Sequence, residues 1–159
     1  MDISDNEVLQ LCGALEKHEV LYILVGGFAI NLNGFNRFTA DIDIWIKDSK
    51  ENRNSLKKAL EEVGLGNLEG IETTQFIHGW TNITLASGME LDIMTELAGF
   101  KDIDFDACYK VAPTAEMFKV KVRFLHLNHL IANKKAAGRS KDLIDVIELE
   151  KIRNQNNEK

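Results

Sequence analysis

Asp41 and Asp43 are separated by one residue in Asp41-Ile42-Asp43-Ile44, and Asp92 occupies the same apolar frame in Leu91-Asp92-Ile93. In an extended segment successive side chains point to opposite faces, so Asp41 and Asp43 share one face while Ile42 and Ile44 share the other. Carboxylates side by side repel each other, and a divalent cation removes the conflict. Mg²⁺ takes carboxylate oxygens, keeps several waters and commonly sits against substrate phosphates. If the strand that carries Asp92 lies beside residues 41–46, three carboxylates converge. Such a triad can hold two Mg²⁺ or Mn²⁺ ions for an in-line displacement at phosphorus. Asp41 and Asp43 are then metal ligands. Asp92 is a ligand to the ion that binds the acceptor, and a group able to take the acceptor's proton. The bland alternative is a solvated strand face with acids that discourage edge pairing.

Upstream, Leu24-Val25-Gly26-Gly27-Phe28 breaks a β-branched run at a Gly pair and resumes as a helix-like segment. Gly26 and Gly27 fit a tight strand-to-helix turn, and the backbone N–H groups there can approach a phosphate. Arg37 lies four residues before Asp41, either as a forked phosphate donor or as an exposed loop residue. Lys134, Lys135, Arg139 and Lys141 form a basic cluster, also explained by cations favoured near a helix C-terminus. Adjacent helical residues point about 100° apart, so only one of Lys134 and Lys135 can face a cleft.

These residues need elements to position them. Asp5 caps a helix through Val8, Leu11 and Leu15. Residues 21–25 read as a buried strand, 28–32 as a short helix, 36–40 as a loop and 41–46 as the second strand. Asp48 or Ser49 caps a helix through Leu56, Leu60 and Val63 that Gly64 stops. Residues 73–77, 82–86, 90–94 and 120–124 read as further strands, and 98–109 as a loop or short helix. Asn128 caps a helix to about Ala137. Ser140 caps a last helix through Ile144, Ile147 and Ile152, with a frayed polar tail from Asn154.

Composition narrows the class. A chain of 159 residues with 45% hydrophobic and 28% charged residues suits one globular domain. The longest apolar run, residues 21–30, is too short to span a bilayer, and the acidic N-terminus lacks signal-peptide order. A net charge of −6 argues against a general nucleic-acid coat but leaves room for a local basic patch. Cys12 and Cys108, with no metal spacing, point to unpaired thiols in a reducing cytoplasm. His126 and His129 are three apart but have no third zinc ligand nearby, so packing or capping explains them. Trp45 and Trp80 read as core or cleft-wall aromatics, with Trp80 also placed to stack on a base.

Gly26-Gly27, Asp41-x-Asp43 and Asp92 between Leu91 and Ile93 together resemble the nucleotidyltransferase superfamily with the polymerase-beta-like fold, over about residues 21–94. Gly27 stands where that turn usually carries Ser. A second stretch, Leu130-Ile131-Ala132-Asn133-Lys134 with Arg139-x-x-Asp142, is similar to the helical tail of small bacterial nucleotidyltransferase-like proteins, including the toxin-type group of abortive-infection systems. The resemblance implies an α/β (α+β) fold. Residues 1–126 form the core, a mixed, mostly antiparallel sheet with flanking helices, and 127–159 a two-helix appendage packed on it.

The implied activity is metal-dependent transfer of a nucleoside monophosphate from an NTP, such as ATP, to an acceptor hydroxyl. By matching positions, Lys134 faces the nucleotide phosphates, Asp142 supports that Lys or the acceptor, and Asp145 is the second candidate. The acceptor stays open between a small molecule, an RNA end and a protein side chain. A toxin-type member has an antitoxin partner. The alternative is a non-catalytic nucleotide- or partner-binding module, against which the retained acids speak.

Overall fold

The computed structural model describes residues 5–65, 70–71, 80–101 and 103–159. Helix α1 (Asn6–Lys17) starts where the Asp5 carboxylate accepts from the Glu7 N–H at 3.0 Å, and it buries Val8, Leu11, Cys12 and Leu15. Strand β1 (Tyr22–Val25) is buried throughout and runs directly into α2 (Gly26–Leu32), with no separate turn between them. Strand β2 (Asp41–Ile46) follows, then α3 (Lys50–Glu62), whose Ser49 hydroxyl caps the Asn52 N–H. After β3 (Trp80–Thr84) and β4 (Glu90–Met94) come α4 (Phe105–Val111), β5 (Thr114–Met117), β6 (Val120–Arg123), α5 (Leu127–Ala137) and α6 (Ser140–Asn157).

The main sheet has the order β1-β2-β4-β3, with β2 and β4 parallel and the outer pairs antiparallel. The central parallel pair sets the register that matters: Asp43 stands opposite Asp92, flanked by Ile42 opposite Leu91 and Ile44 opposite Ile93. All four of those apolar residues are fully buried. The pleat therefore sends the acids to one face and four core side chains to the other. Register is thereby pinned, because a one-residue slip would bury the acids and expose the aliphatics. Strands β5 and β6 form a hairpin joined to the main sheet by a bridge between Leu24 and Phe124. Leu130 and Ile131 of α5 and Val146 and Leu149 of α6 belong to the same hydrophobic cluster as the sheet. The mixed sheet and flanking helices are those the family resemblance implies.

Several local expectations change. The α5 cap is His126, whose Nδ1 accepts from the Asn128 N–H at 3.2 Å, and not Asn128. Strand β5 has only Thr114 as a β-branched residue and is held by its pairing with β6, so no local pattern announces it. On α6 the inward face is not the Ile stripe: Leu143, Ile144 and Ile147 are exposed, while Asp142, Asp145, Val146 and Leu149 are buried. That face packs Val146 and Leu149 into the core and sets Asp142 and Asp145 against a buried lysine, as described below. The helix also continues past Asn154 to Asn157, with Lys151 paired to Glu148 at 2.8 Å along it. The strand expected at 73–77 lies outside the described residues. Cys12 and Cys108 are free and buried, and burial pushes the Cys12 thiol up to about 12, which leaves it inert as a nucleophile. No helix among the described residues is long and apolar enough to cross a membrane.

Candidate functional site

The acids of β2 and β4 line a cavity of about 420 Å³. Its wall takes Asp41 and Asp43 from β2, Asp92 from β4, Gly26 and Gly27 from α2, Arg37 to Thr39 from the loop before β2, and Lys134, Arg139 and Lys141 from the C-terminal helices and their junction. The three sequence-predicted acids thus share one concave face. Among the described residues, no three His, Cys, Asp or Glu side chains close into a ready metal cage. Mg²⁺ does not require one. It is usually held by one or two carboxylates, with water and substrate phosphates completing the octahedron.

Electrostatics single out Asp43. Burial pushes its carboxyl up to about 6, and the neighbouring Asp92 and Asp41 push the same way against the opposing charges of Lys134 and Lys141. A carboxylate raised by burial and like charge is relieved by a cation placed between it and its neighbours. The donor set and its frustration therefore fit a divalent ion, with Asp41, Asp43 and Asp92 as the residues to hold it. Asn82 on β3, directly opposite Asp92 on β4, donates from Nδ2 to Asp92 Oδ1 at 2.6 Å and fixes that carboxylate. Sequence reasoning passed over Asn82. Its signal is parity: it lies on the polar face of an alternating strand.

Both glycines have local reasons. Gly26 has φ +59, and a Cβ there would overlap the Asp43 carboxylate. A Cβ at Gly27 would overlap Thr39, whose buried hydroxyl donates to the Asp41 carbonyl at 3.1 Å. Thr39 thus brings a hydroxyl to the place where the turn lacks its usual Ser, and ties the loop before β2 to α2. The bare glycine faces are filled by protein side chains that belong to the site.

The C-terminal helices bring a second charged group. Lys134 is almost fully buried, 2.9 Å from Asp142 Oδ1 and 3.5 Å from Asp145 Oδ2. Arg139 adds a fork to Asp142, with Nε at 2.7 Å and Nη2 at 3.3 Å, and its backbone N–H donates as well at 3.2 Å. Burial raises the Asp142 carboxyl, but bonds from Arg139 and Lys134 overrule it and hold the group at about 2. Arg37 reaches the same cluster, with Nε 3.1 Å from Asp145 Oδ1. Asp142 and Asp145 therefore both belong to this network. Lys135 points away to solvent and pairs with Glu150 at 2.6 Å. Of the cations lining the cavity, Lys141 alone makes no ion pair or hydrogen bond among the described residues, although its charge reaches Asp43. His126 caps α5 through Nδ1, and the His129 ring packs edge-on against His126 and Phe100, with centroids 6.0 and 5.6 Å away. Trp45 packs edge-on to Phe100 and Phe105, and the Trp80 side chain lies outside the described residues.

Comparison with known proteins places the geometry. The fold is similar to that of a Thermotoga maritima protein assigned as a nucleotidyltransferase, TM1012, with a TM-score of 0.55 at 18% identity, covering 94% of this chain and 90% of that one. It is similar also to the antibiotic-resistance factor ANT(2'')-Ia, with a TM-score of 0.58 at 16% identity over 99% of this chain and 94% of that one. A nucleotidyltransferase-like antigenic protein of Paracoccidioides brasiliensis matches with a TM-score of 0.50 at 15% identity, over 91% and 76% of the two chains. At these identities the likeness shows a shared fold. No curated protein matches the chain in sequence. Family assignment rests on sequence over nearly the full length: residues 2–158 match the family described as nucleotidyltransferase of unknown function (DUF6036), and the chain belongs to it.

Proposed function

We propose that the chain transfers a nucleoside monophosphate from an NTP to an acceptor hydroxyl, with Mg²⁺ at Asp41, Asp43 and Asp92. The observation that carries the reading is Asp43 facing Asp92 across parallel strands, its carboxyl pushed up to about 6 at the wall of an open cavity. In the reaction the acceptor oxygen bonds to the α-phosphorus, the bond from that phosphorus to the bridging oxygen of the β-phosphate breaks, and pyrophosphate leaves. Mg²⁺, when bound, neutralises charge between carboxylates and phosphates and steadies the entering and leaving oxygens.

The chain's own residues supply the rest. Asn82 holds Asp92 by Oδ1, leaving Oδ2 to take the acceptor's proton. Lys141, without an ion pair among the described residues at the cavity wall, meets the triphosphate. Lys134, already neutralised by Asp142 and Asp145, holds the position of α6 behind the wall and tunes Asp43 by its charge. Catalysis of this kind rests on positioning and charge stabilisation, which these groups provide. The acceptor has space at hand: a larger cavity of about 910 Å³ shares Glu96, Leu97 and Ala98 with the acid cavity.

The test is label transfer from each of the four α-labelled NTPs, with Mg²⁺ and without, to panels of small hydroxyl compounds, RNA and protein. The reading expects Mg²⁺-dependent pyrophosphate release with label retained on one acceptor class. A folded protein that binds no Mg²⁺–NTP contradicts it and favours a partner-binding module.

A further inference from the structure

Phe38 lines the acid cavity and is 74% exposed, the only large apolar side chain of that wall left open among the described residues. Scattered exposed apolar residues are ordinary on a protein surface. This one differs in how it is held. On one side, the Arg37 N–H donates to Asn31 Oδ1 at 3.0 Å, and Arg37 Nε stands 3.1 Å from Asp145 Oδ1. Arg37 Nη1 also donates to the Phe38 carbonyl at 3.3 Å. On the other side, Thr39 is buried, seated against Gly27 and bonded to the Asp41 carbonyl. The backbone on both flanks of the ring is thus anchored, and the ring itself rests on no other aromatic side chain among the described residues. An anchored loop that presents a bare ring at a cavity with phosphate-binding chemistry is pre-organised for a flat apolar ligand.

We propose that Phe38 is the platform on which the base of the donor nucleotide stacks, while the phosphates extend to the acids and Lys141. The inference rests on the nucleotidyl-transfer reading and adds to it the group that recognises the nucleoside. Every base has a π-face, so stacking on an aromatic ring favours nucleotides over bare polyphosphate without selecting one base by hydrogen bonds.

The experiment is calorimetric titration of wild type, Phe38→Ala, Phe38→Trp and Phe118→Ala with Mg²⁺–ATP and, separately, Mg²⁺–tripolyphosphate. Phe118, 76% exposed at the turn between β5 and β6, controls for loss of any exposed ring. Phe38→Ala is expected to weaken ATP about tenfold and to leave tripolyphosphate within about twofold. Phe38→Trp should keep ATP affinity, with an indole emission that ATP quenches and tripolyphosphate does not. Phe118→Ala should change neither. Wild-type ATP affinity in Phe38→Ala, or equal loss for both ligands, overturns the stacking role alone. A wild type that binds neither ligand overturns the nucleotidyl-transfer reading together with it.

Discussion

On the sheet, Asp43 faces Asp92 without an ion-pair partner among the described residues, and its carboxyl is pushed up to about 6. On α6, Asp142 is more deeply buried yet held at about 2, with Lys134 and Arg139 bonded to it. Burial acts on both acids in the same direction, against the charged form. Neighbouring charge decides the outcome: acids beside Asp43, cations beside Asp142. The helical network pairs its acids with the protein's own cations and serves as scaffold. The sheet acids are left with mutual repulsion that a bound cation would relieve.

The comparison breaks most readily at Asp142. Asp142→Ala leaves Lys134 buried with one partner lost and should cost about 3–5 kcal/mol in denaturant unfolding. Asp43→Asn, measured the same way without divalent ions, should leave stability unchanged or raised, because it removes repulsion. Equal costs at the two positions would erase the distinction between scaffold and site.

A pH titration sharpens it. Asp142 has a folded value depressed below the usual 3.8, so its contribution is fully present above that value and is lost as pH falls toward about 2. The expected loss across that window is of the order of 2 kcal/mol. Unfolding free energies of wild type and Asp142→Asn at pH 5, 4, 3 and 2 check it. The wild-type advantage should shrink through the window, and an advantage that persists at pH 2 contradicts the assignment.

The smallest effect separates the lysines. Lys141→Ala should weaken Mg²⁺–NTP binding about tenfold, close to 1.4 kcal/mol. Lys135→Ala removes an exposed pair with Glu150 and should change binding by less than about twofold. Equal effects in a binding titration would show that the cavity does not distinguish these cations.

Residue types and spacing made the sheet half of this contrast legible. Asp41-x-Asp43 and Asp92 alternate with Ile42, Ile44, Leu91 and Ile93, so strand parity gives Asp41 and Asp43 a common face, and the pairing of β2 with β4 adds Asp92 to it. The Asp5 cap was readable for the same local reason, and the α3 cap to within one residue, Asp48 or Ser49. The other half depends on packing between elements far apart in sequence. Ile144 and Ile147 look like a core stripe by helical period. The inward face of Asp142 and Asp145 is matched by Lys134 on another helix and shared with Val146 and Leu149, a combination that no local pattern contains. Asn82 showed only its strand parity, Thr39 no local signal, and Lys141 only its place in a basic cluster. Each owes its place to a partner across the sheet or the cavity: Asp92, Gly27 and Asp43.

The central claim, that the sheet acids form a metal-dependent nucleotidyl-transfer site, is tested most directly by Mg²⁺-dependent pyrophosphate release from NTP in Asp41→Ala and Asp43→Ala, each confirmed as folded by its unfolding transition. The account predicts release at background level in both, with the wild-type fold retained. Release at near wild-type rate in either variant would contradict it.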